Sequence, residues 1–222
     1  TYKNGEANLN GYLEDYAFLI SGLISIHEAT FEGVWIQEAI SLAESMINLF
    51  WDETSGCFFD TGQDHEILIM RPRDLMDNAI PSGSSMATDI LPKLSIITGN
   101  QEYEQRALNT LNPMTEFMAK SPSGSGHWLC TLDFHLSTVK EIVLLGNRTE
   151  PDTQALTSKI YQHFFPNRVL LGKNEDDKSL DNLPLMKSRG KLNNRATAFV
   201  CENYMCKLPV NDPEDLMHQL TQ

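Results

Sequence analysis

The chain has 222 residues, 41% of them apolar, enough to bury a sizeable core and unlike the composition of a disordered segment. Thirty acidic residues against 17 basic ones leave a net charge of -13, which repels a phosphate backbone and argues against nucleic acid as a partner. No apolar run approaches the roughly 20 residues of a membrane helix, so no membrane partner is expected. Four cysteines, Cys57, Cys130, Cys201 and Cys206, are too scattered for a disulfide framework, and a reducing, cytoplasmic setting is the expectation. The start at Thr1, without Met or an apolar leader, reads as a fragment or a processed product.

From Tyr12 to about Thr30, Leu13, Tyr16, Ala17, Ile20, Leu23, Ile24 and His27 share one helical face, which Phe18, Leu19 and Ile26 widen. A helix apolar on most sides is buried on most sides. The next segment has a narrower stripe (Trp35, Ala39, Ile40, Ala43, Met46, Ile47, Phe50) opposite Gln37, Glu38, Glu44 and Asn48, as in an outer helix with one wet face. The pattern then recurs. Met86, Ala87, Ile90, Leu91, Leu94 and Ile97 form a second inner helix, and Tyr103, Ala107, Leu111, Met114 and Met118 a second outer one. A shift of 68 positions lays Thr30 on Thr98, Trp35 on Tyr103 and Ala39 on Ala107, which points to a repeated helical hairpin. Pro92 and Pro113 are expected to kink or shorten the helices that hold them. A short helix is expected from Trp128 to Leu136, with His127 in the loop before it.

After Val139 the pattern changes. "EIVLLG" (141–146) and "RVLLG" (168–172) read as strands flanking a helix from Asp152 to Phe165, a βαβ unit with a parallel pair. "NEDDKSLDN" (174–182) reads as an exposed loop, "ATAFVC" (196–201) as a third strand and Pro213–Leu220 as a last helix. "GNRTEPD" lacks the glycine spacing of a phosphate loop, and no metal-ligand spacing occurs, so no cofactor is expected. The chain thus divides into a helical part, 1–138, and a small α/β part, 139–222.

The connector from Trp51 to Pro81 is long for a link between packed helices, and "GCFFDTGQDHEILIM" within it reads as a β-hairpin. In a ring of hairpins every inner helix begins at the same end, so this connector lies at the mouth. Asn10 is the expected cap of the first inner helix and Ser82 of the second, with Glu14, Asp15 and Asp77 beside those starts. Carboxylates from different inner helices around one cavity suit acid/base work on a sugar, where one group gives a proton and another takes one. Asp15 and Asp77 are the candidate catalytic pair. Glu14, Tyr16, Trp51, Phe58, Arg71 and Ser82 are the candidate substrate contacts. The competing reading makes Glu14 and Asp15 complements to a helix dipole, Asp77 the partner of Arg71 or Arg73, and the aromatics core. Cys201 and Cys206, separated by "ENYM", are either two structural thiols or a reversible pair; proximity with reduced thiols is expected.

"GYLEDYAFLISGL", "LFWDETSGCFFDT", "DNAIPSGSS" and "ATAFVCENYMCKLPVNDPEDL" together resemble the C-terminal region of the spermatogenesis-associated protein 20 and bacterial YyaL group. The resemblance implies a mainly α fold: part of a six-hairpin (α/α) toroid, with a β-hairpin insertion and a small C-terminal βαβ unit. It also implies a thioredoxin-like domain elsewhere in the same full-length protein, as a partner within the chain. The toroid architecture is shared with sugar epimerases and glycosidases, which makes a sugar-like small molecule the expected ligand. A non-catalytic binding or scaffold module is the alternative. Where the group tends to read Asp-Gly-Ala and Pro-Ser-Gly-Asn-Ser, this sequence has Asn78 for the glycine and Ser84 for the asparagine.

Overall fold

The computed structural model describes residues 2–66 and 69–222. A small exposed hairpin, β1 (Tyr2–Lys3) and β2 (Glu6–Ala7), precedes α1 (Leu13–Thr30). The predicted inner face of α1 is buried at Leu13, Ala17, Ile20, Leu23, Ile24 and His27. The helix stops at Phe31, which takes a left-handed conformation (φ 61°) and donates its N–H to the His27 carbonyl at 2.8 Å. A phenylalanine tolerates that backbone because its ring is fully buried, against a strand glycine described below. Next comes α2 (Val34–Phe50), packed back along α1.

The connector opens with the short antiparallel pair β3 (Trp51–Asp52) and β4 (Cys57–Phe58), turned at Gly56. The ordered hairpin is much shorter than predicted, and the expected run through Ile67 and Leu68 falls partly outside the described residues. The remainder of the connector crosses the start of α1, where the Leu13 N–H donates to the Asp60 carbonyl at 2.9 Å.

α3 (Gly83–Thr98) begins at Ser82, whose hydroxyl accepts the Ser85 N–H at 3.1 Å, and runs unbroken through Pro92 to a left-handed Gly99. It is buried almost all round, being packed against α1, α4 and α6. The predicted second outer helix is divided. α4 (Gln101–Leu111) gives way to a 3₁₀ turn at Asn112–Met114, and α5 (Thr115–Lys120) follows. Pro113 has no N–H to give to the α ladder, which accounts for the break. α6 (Gly126–Leu136) begins earlier than predicted and takes His127 out of the loop into its first turn.

The C-terminal part contains β5 (Lys140–Leu145), α7 (Pro151–Tyr161), β6 (Arg168–Lys173), β7 (Thr197–Glu202), β8 (Met205–Cys206) and α8 (Pro213–Thr221). The sheet order is β6-β5-β7-β8. β5 and β6 are parallel, as the βαβ reading requires, while β7 runs antiparallel to β5 and β8 antiparallel to β7. Side-chain alternation divides the sheet cleanly. Ile142, Leu144, Leu170, Ala198 and Val200 pack with α7 and α8, whereas Val143, Leu145, Val169, Leu171 and Phe199 join the core of the helical part.

Contacts around β6 help to bind the halves. A Cβ on Gly172 of β6 would lie 2.0 Å from the Phe31 ring, so only glycine fits there. His27 bridges nearby: its Nε2 accepts the Gly172 N–H at 3.2 Å, which leaves Nδ1 to donate to the Glu32 carbonyl at 3.0 Å. The segment read as an exposed loop is partly built in. Leu180 is fully buried, and Asp177 accepts the Gly33 N–H at 2.7 Å, closing the start of α2.

Candidate functional site

The starts of α1 and α3 lie side by side. A Cβ on Gly83 would come within 2.9 Å of the Glu14 backbone nitrogen, so glycine lets the two helix ends touch. Beside that contact is a cavity of about 320 Å³, lined by Tyr12, Glu14 and Ser82 from the helix starts and by Asp60, Asp74 and Asn78 from the connector. Pro72, Met76, Ile80 and Pro81 give it an apolar wall. Three carboxyl groups therefore share one concave space, a setting that drives apart the proton affinities of its members.

Asp60 carries the effect. Burial pushes its pKa up to about 6; the Asp74 N–H, donating at 2.6 Å, pulls the other way, and the charges of Asp74 and Glu14 add to the rise. Near neutrality this carboxyl holds or releases a proton within the cavity, as acid/base chemistry demands.

The two residues read as a catalytic pair are elsewhere. Asp15 lies outside the cavity lining, and its carboxylate accepts the Tyr12 N–H at 2.8 Å, capping α1. Asn10, the expected cap, instead donates its amide to the Asp64 carbonyl at 2.8 Å, because the helix begins three residues beyond it, with Tyr12 in the cap position. Asp77 is buried beneath the mouth and is fully engaged. One oxygen accepts the Ser82 N–H at 2.9 Å and the Ser85 hydroxyl at 2.7 Å; the other accepts the His127 N–H at 2.8 Å and the Trp128 N–H at 3.4 Å. A single carboxylate thus serves the starts of α3 and α6. Burial raises its pKa, but the donors from Ser85, Ser82, His127 and Trp128 outweigh that and hold it below the usual carboxylate range.

Of the expected ligand contacts, Glu14 and Ser82 line the cavity. Trp51 and Phe58 are buried edge to face, 4.9 Å apart, and belong to the core. Tyr16 packs on Phe50 at 5.3 Å. Arg71 lies over Phe59 and donates to the carbonyls of Leu49 and Thr61, pinning the connector to the end of α2. Arg73 pairs with Asp52 at 2.6 Å. Neither arginine is paired with Asp77.

Sequence reasoning passed over Asp60 and Asp74 because both lie in the connector, away from a helix start. The signal was present in the connector's own length and its acidic residues. A second missed group is Asp89, buried on α3, which pairs with Lys93 at 2.7 Å and faces His127 Nε2 at 3.7 Å. Another cavity, of about 500 Å³, is at the carboxyl ends of β5 and β6, where Lys173 pairs with Asp181 and Lys191 with Glu175. Among the described residues no group of three His, Cys, Asp or Glu side chains is placed to hold a metal ion. No helix is long and apolar enough to cross a membrane, again among the described residues.

Cys201 and Cys206, expected near one another but reduced, are joined by a disulfide. They sit directly opposite each other on β7 and β8, a register that brings paired side chains to the same face of the sheet. That pairing is what the five-position spacing conceals until the turn is known.

These features define a mainly α protein: helical hairpins backed by a small mixed sheet, with an acidic cavity at two adjoining helix starts. No protein-family profile matches the chain. It is a relative of spermatogenesis-associated protein 20, being 33% identical to the human protein over 209 residues, 93% of this chain. The mouse protein is also 33% identical, over 218 residues and 96% of this chain. An uncharacterized protein of Caenorhabditis elegans, B0495.5, is 22% identical over 215 residues. The chain spans about a quarter of the human and mouse proteins (27% of each), the share that a C-terminal region of that family would occupy.

Proposed function

We propose that this region is the carbohydrate-active wall of an (α/α) toroid, acting on a sugar or sugar-like ligand by carboxyl acid/base chemistry of the epimerase or glycoside-hydrolase kind. The observation that carries the reading is Asp60, held protonated to about pH 6 in a cavity it shares with Glu14 and Asp74. Asp60 is the proton donor and Glu14 the accepting carboxylate, while Asn78, Ser82 and Tyr12 offer hydroxyl and amide groups to sugar hydroxyls. The apolar wall of Pro72, Met76 and Ile80 suits the C–H face of a pyranose. α1 and α3 are then neighbouring inner helices of the ring, whose other hairpins come from the rest of the full-length protein.

A panel of mono- and disaccharides, read by thermal shift, tests the reading. A ligand at a hundred times its Kd stabilises by about 2.7 kcal/mol, or about 5–10 °C for a chain of this size. Asp60→Asn should weaken that shift or abolish the associated turnover. The reading fails if no sugar moves the transition, or if Asp60→Asn leaves both binding and turnover unchanged.

A second reading, a non-catalytic scaffold serving a thioredoxin-like domain, is favoured by the exposed apolar groups of α1. Leu19 and Ile26 are 53% and 43% exposed on a helix otherwise built for burial.

A further inference from the structure

The disulfide is surrounded by groups unlike those around an inert staple. Arg189, in the loop before β7, places its Nη2 3.1 Å from Cys201 Sγ and 3.0 Å from Cys206 Sγ, a cation shared between the two sulfurs. In the same row across the sheet, Glu141 of β5 is the direct partner of Cys201 of β7, and Cys201 is the direct partner of Cys206 of β8. All three side chains share one face of the sheet. Glu141 is 3% exposed, and its carboxyl accepts the Tyr204 N–H at 3.2 and 3.3 Å. Asn203 and Tyr204, the turn between the strands, both have positive φ (50° and 61°). A two-residue turn between antiparallel strands needs that geometry at both positions, and here it brings the Tyr204 N–H to Glu141.

The two cysteines also differ in access. Cys201 is fully buried, whereas Cys206 lies in an exposed edge strand. The bridge closes a two-residue turn that the β7–β8 ladder already holds shut, so it constrains very little of the unfolded chain.

We propose that Cys201 and Cys206 form a thiol–disulfide exchange site, with Cys206 as the entry sulfur, a low-molecular-weight thiol as co-reactant, Arg189 as the positioning cation and Glu141 as the proton-exchanging group. The incoming thiolate attacks Cys206 Sγ from the solvent side. The Cys201–Cys206 bond breaks, its electron pair leaves on Cys201 Sγ beside Arg189, and Glu141 delivers a proton to that sulfur. A second thiolate attacks the external sulfur of the mixed disulfide and releases Cys206 as a thiolate, again beside Arg189; the two protons that the external thiols shed to solvent on ionising return to Glu141 and to Cys206. Two external thiols become one external disulfide, and the protein pair gains two electrons and two protons. Burial raises the Glu141 pKa, while the Tyr204 N–H and the Arg189 charge lower it; Glu202, on the adjoining strand, raises it. The carboxyl thus suits proton delivery into a buried space. The site is independent of the acidic cavity, and neither proposal needs the other.

The test is site-resolved alkylation of the protein, read by peptide mass spectrometry after treatment with reduced glutathione or dithiothreitol. Cys130, exposed and unbridged in the same chain, is the internal control. The expected result is reduction of the Cys201–Cys206 bond with the melting transition retained, and reaction of Cys206 with iodoacetamide at pH 7 at least tenfold faster than Cys130. Arg189→Gln should cut that excess to threefold or less, and Arg189→Lys should restore part of it. If Arg189→Gln does not fold, the Arg189→Lys and wild-type rates against Cys130 decide the matter. A bridge that resists both reductants until the protein unfolds would overturn the proposal. So would a Cys206 no faster than Cys130, or a rate indifferent to residue 189.

Discussion

Replacing Asp77 by asparagine keeps the side chain's shape and one of its oxygens, yet the structure predicts a large loss of stability. The retained oxygen can serve the Ser82 N–H and Ser85 hydroxyl, or the His127 and Trp128 N–H groups, but not both sets. With its oxygen turned to His127 and Trp128, the amide NH₂ can donate to the Ser85 hydroxyl, which still donates to the Ser82 carbonyl at 3.0 Å, but the Ser82 N–H loses its acceptor; turned the other way, the His127 and Trp128 N–H groups lose theirs. A hydrogen bond to a charged group contributes about 1.5–3 kcal/mol, and a buried donor left unpaired costs about 1–3 kcal/mol. In the better orientation one bond to a charged acceptor is lost and a buried N–H is left unpaired, so Asp77→Asn should cost about 2–3 kcal/mol and lower the Tm by about 4–12 °C. Ser82→Ala, which removes one ordinary cap, should cost about 1 kcal/mol. Urea unfolding followed by circular dichroism gives both numbers, with the midpoint moving and the slope unchanged. There is a pH signature as well. The folded Asp77 pKa is depressed, so its stabilisation is present above the unfolded value and is lost as pH falls through the folded one. Asp77→Asn should therefore flatten the acid limb of the stability curve. A cost below about 0.5 kcal/mol, within the range of an ordinary surface substitution, would refute the two-helix cap.

Asp60 runs the opposite way: its folded pKa, about 6, is above the unfolded one, so it costs stability once pH rises through that value. Discounted for its partial exposure, Asp60→Asn should stabilise by about 1 kcal/mol at pH 8 and by nothing near pH 4; a gain that does not depend on pH would contradict the assignment. His27, whose pKa burial lowers, should make the wild type lose stability as pH falls below about 6.5. Urea midpoints of wild type and His27→Gln, compared from pH 5 to 8, should show that loss in the wild type alone. Gly172→Ala forces a methyl into the Phe31 ring and should cost about 3 kcal/mol. Gly22→Ala, with open space around it in the middle of α1, should stabilise by about 0.5–1 kcal/mol in the same denaturation assay.

The helices were legible because their period is local. The α1 face from Leu13 to His27 and the βαβ strands at 140–145 and 168–173 follow from side-chain spacing alone. The Ser82 cap followed from one residue type ahead of an apolar run. What sequence missed was set by pairing over long separations. Asp60 acquires its burial and its carboxyl neighbours from segments that meet only in the fold. Asp77 looked like an acid at a mouth because nothing in the chain shows that the start of α6, 50 residues on, turns towards it. The disulfide was misjudged because spacing does not reveal a turn that requires positive φ at Asn203 and Tyr204.

The contact between Gly33 and Asp177 spans 144 positions and sets a timetable for synthesis. The first hairpin leaves the ribosome with the α2 entrance unfinished, since its acceptor has yet to be translated. At about 5–20 residues per second, that wait lasts about 7–30 s. During it the α1 surface destined for Gly172 and the sheet faces water. A nascent chain stalled between Phe50 and Leu170 should thus be a client for holding chaperones, and release past residue 177 should end that dependence.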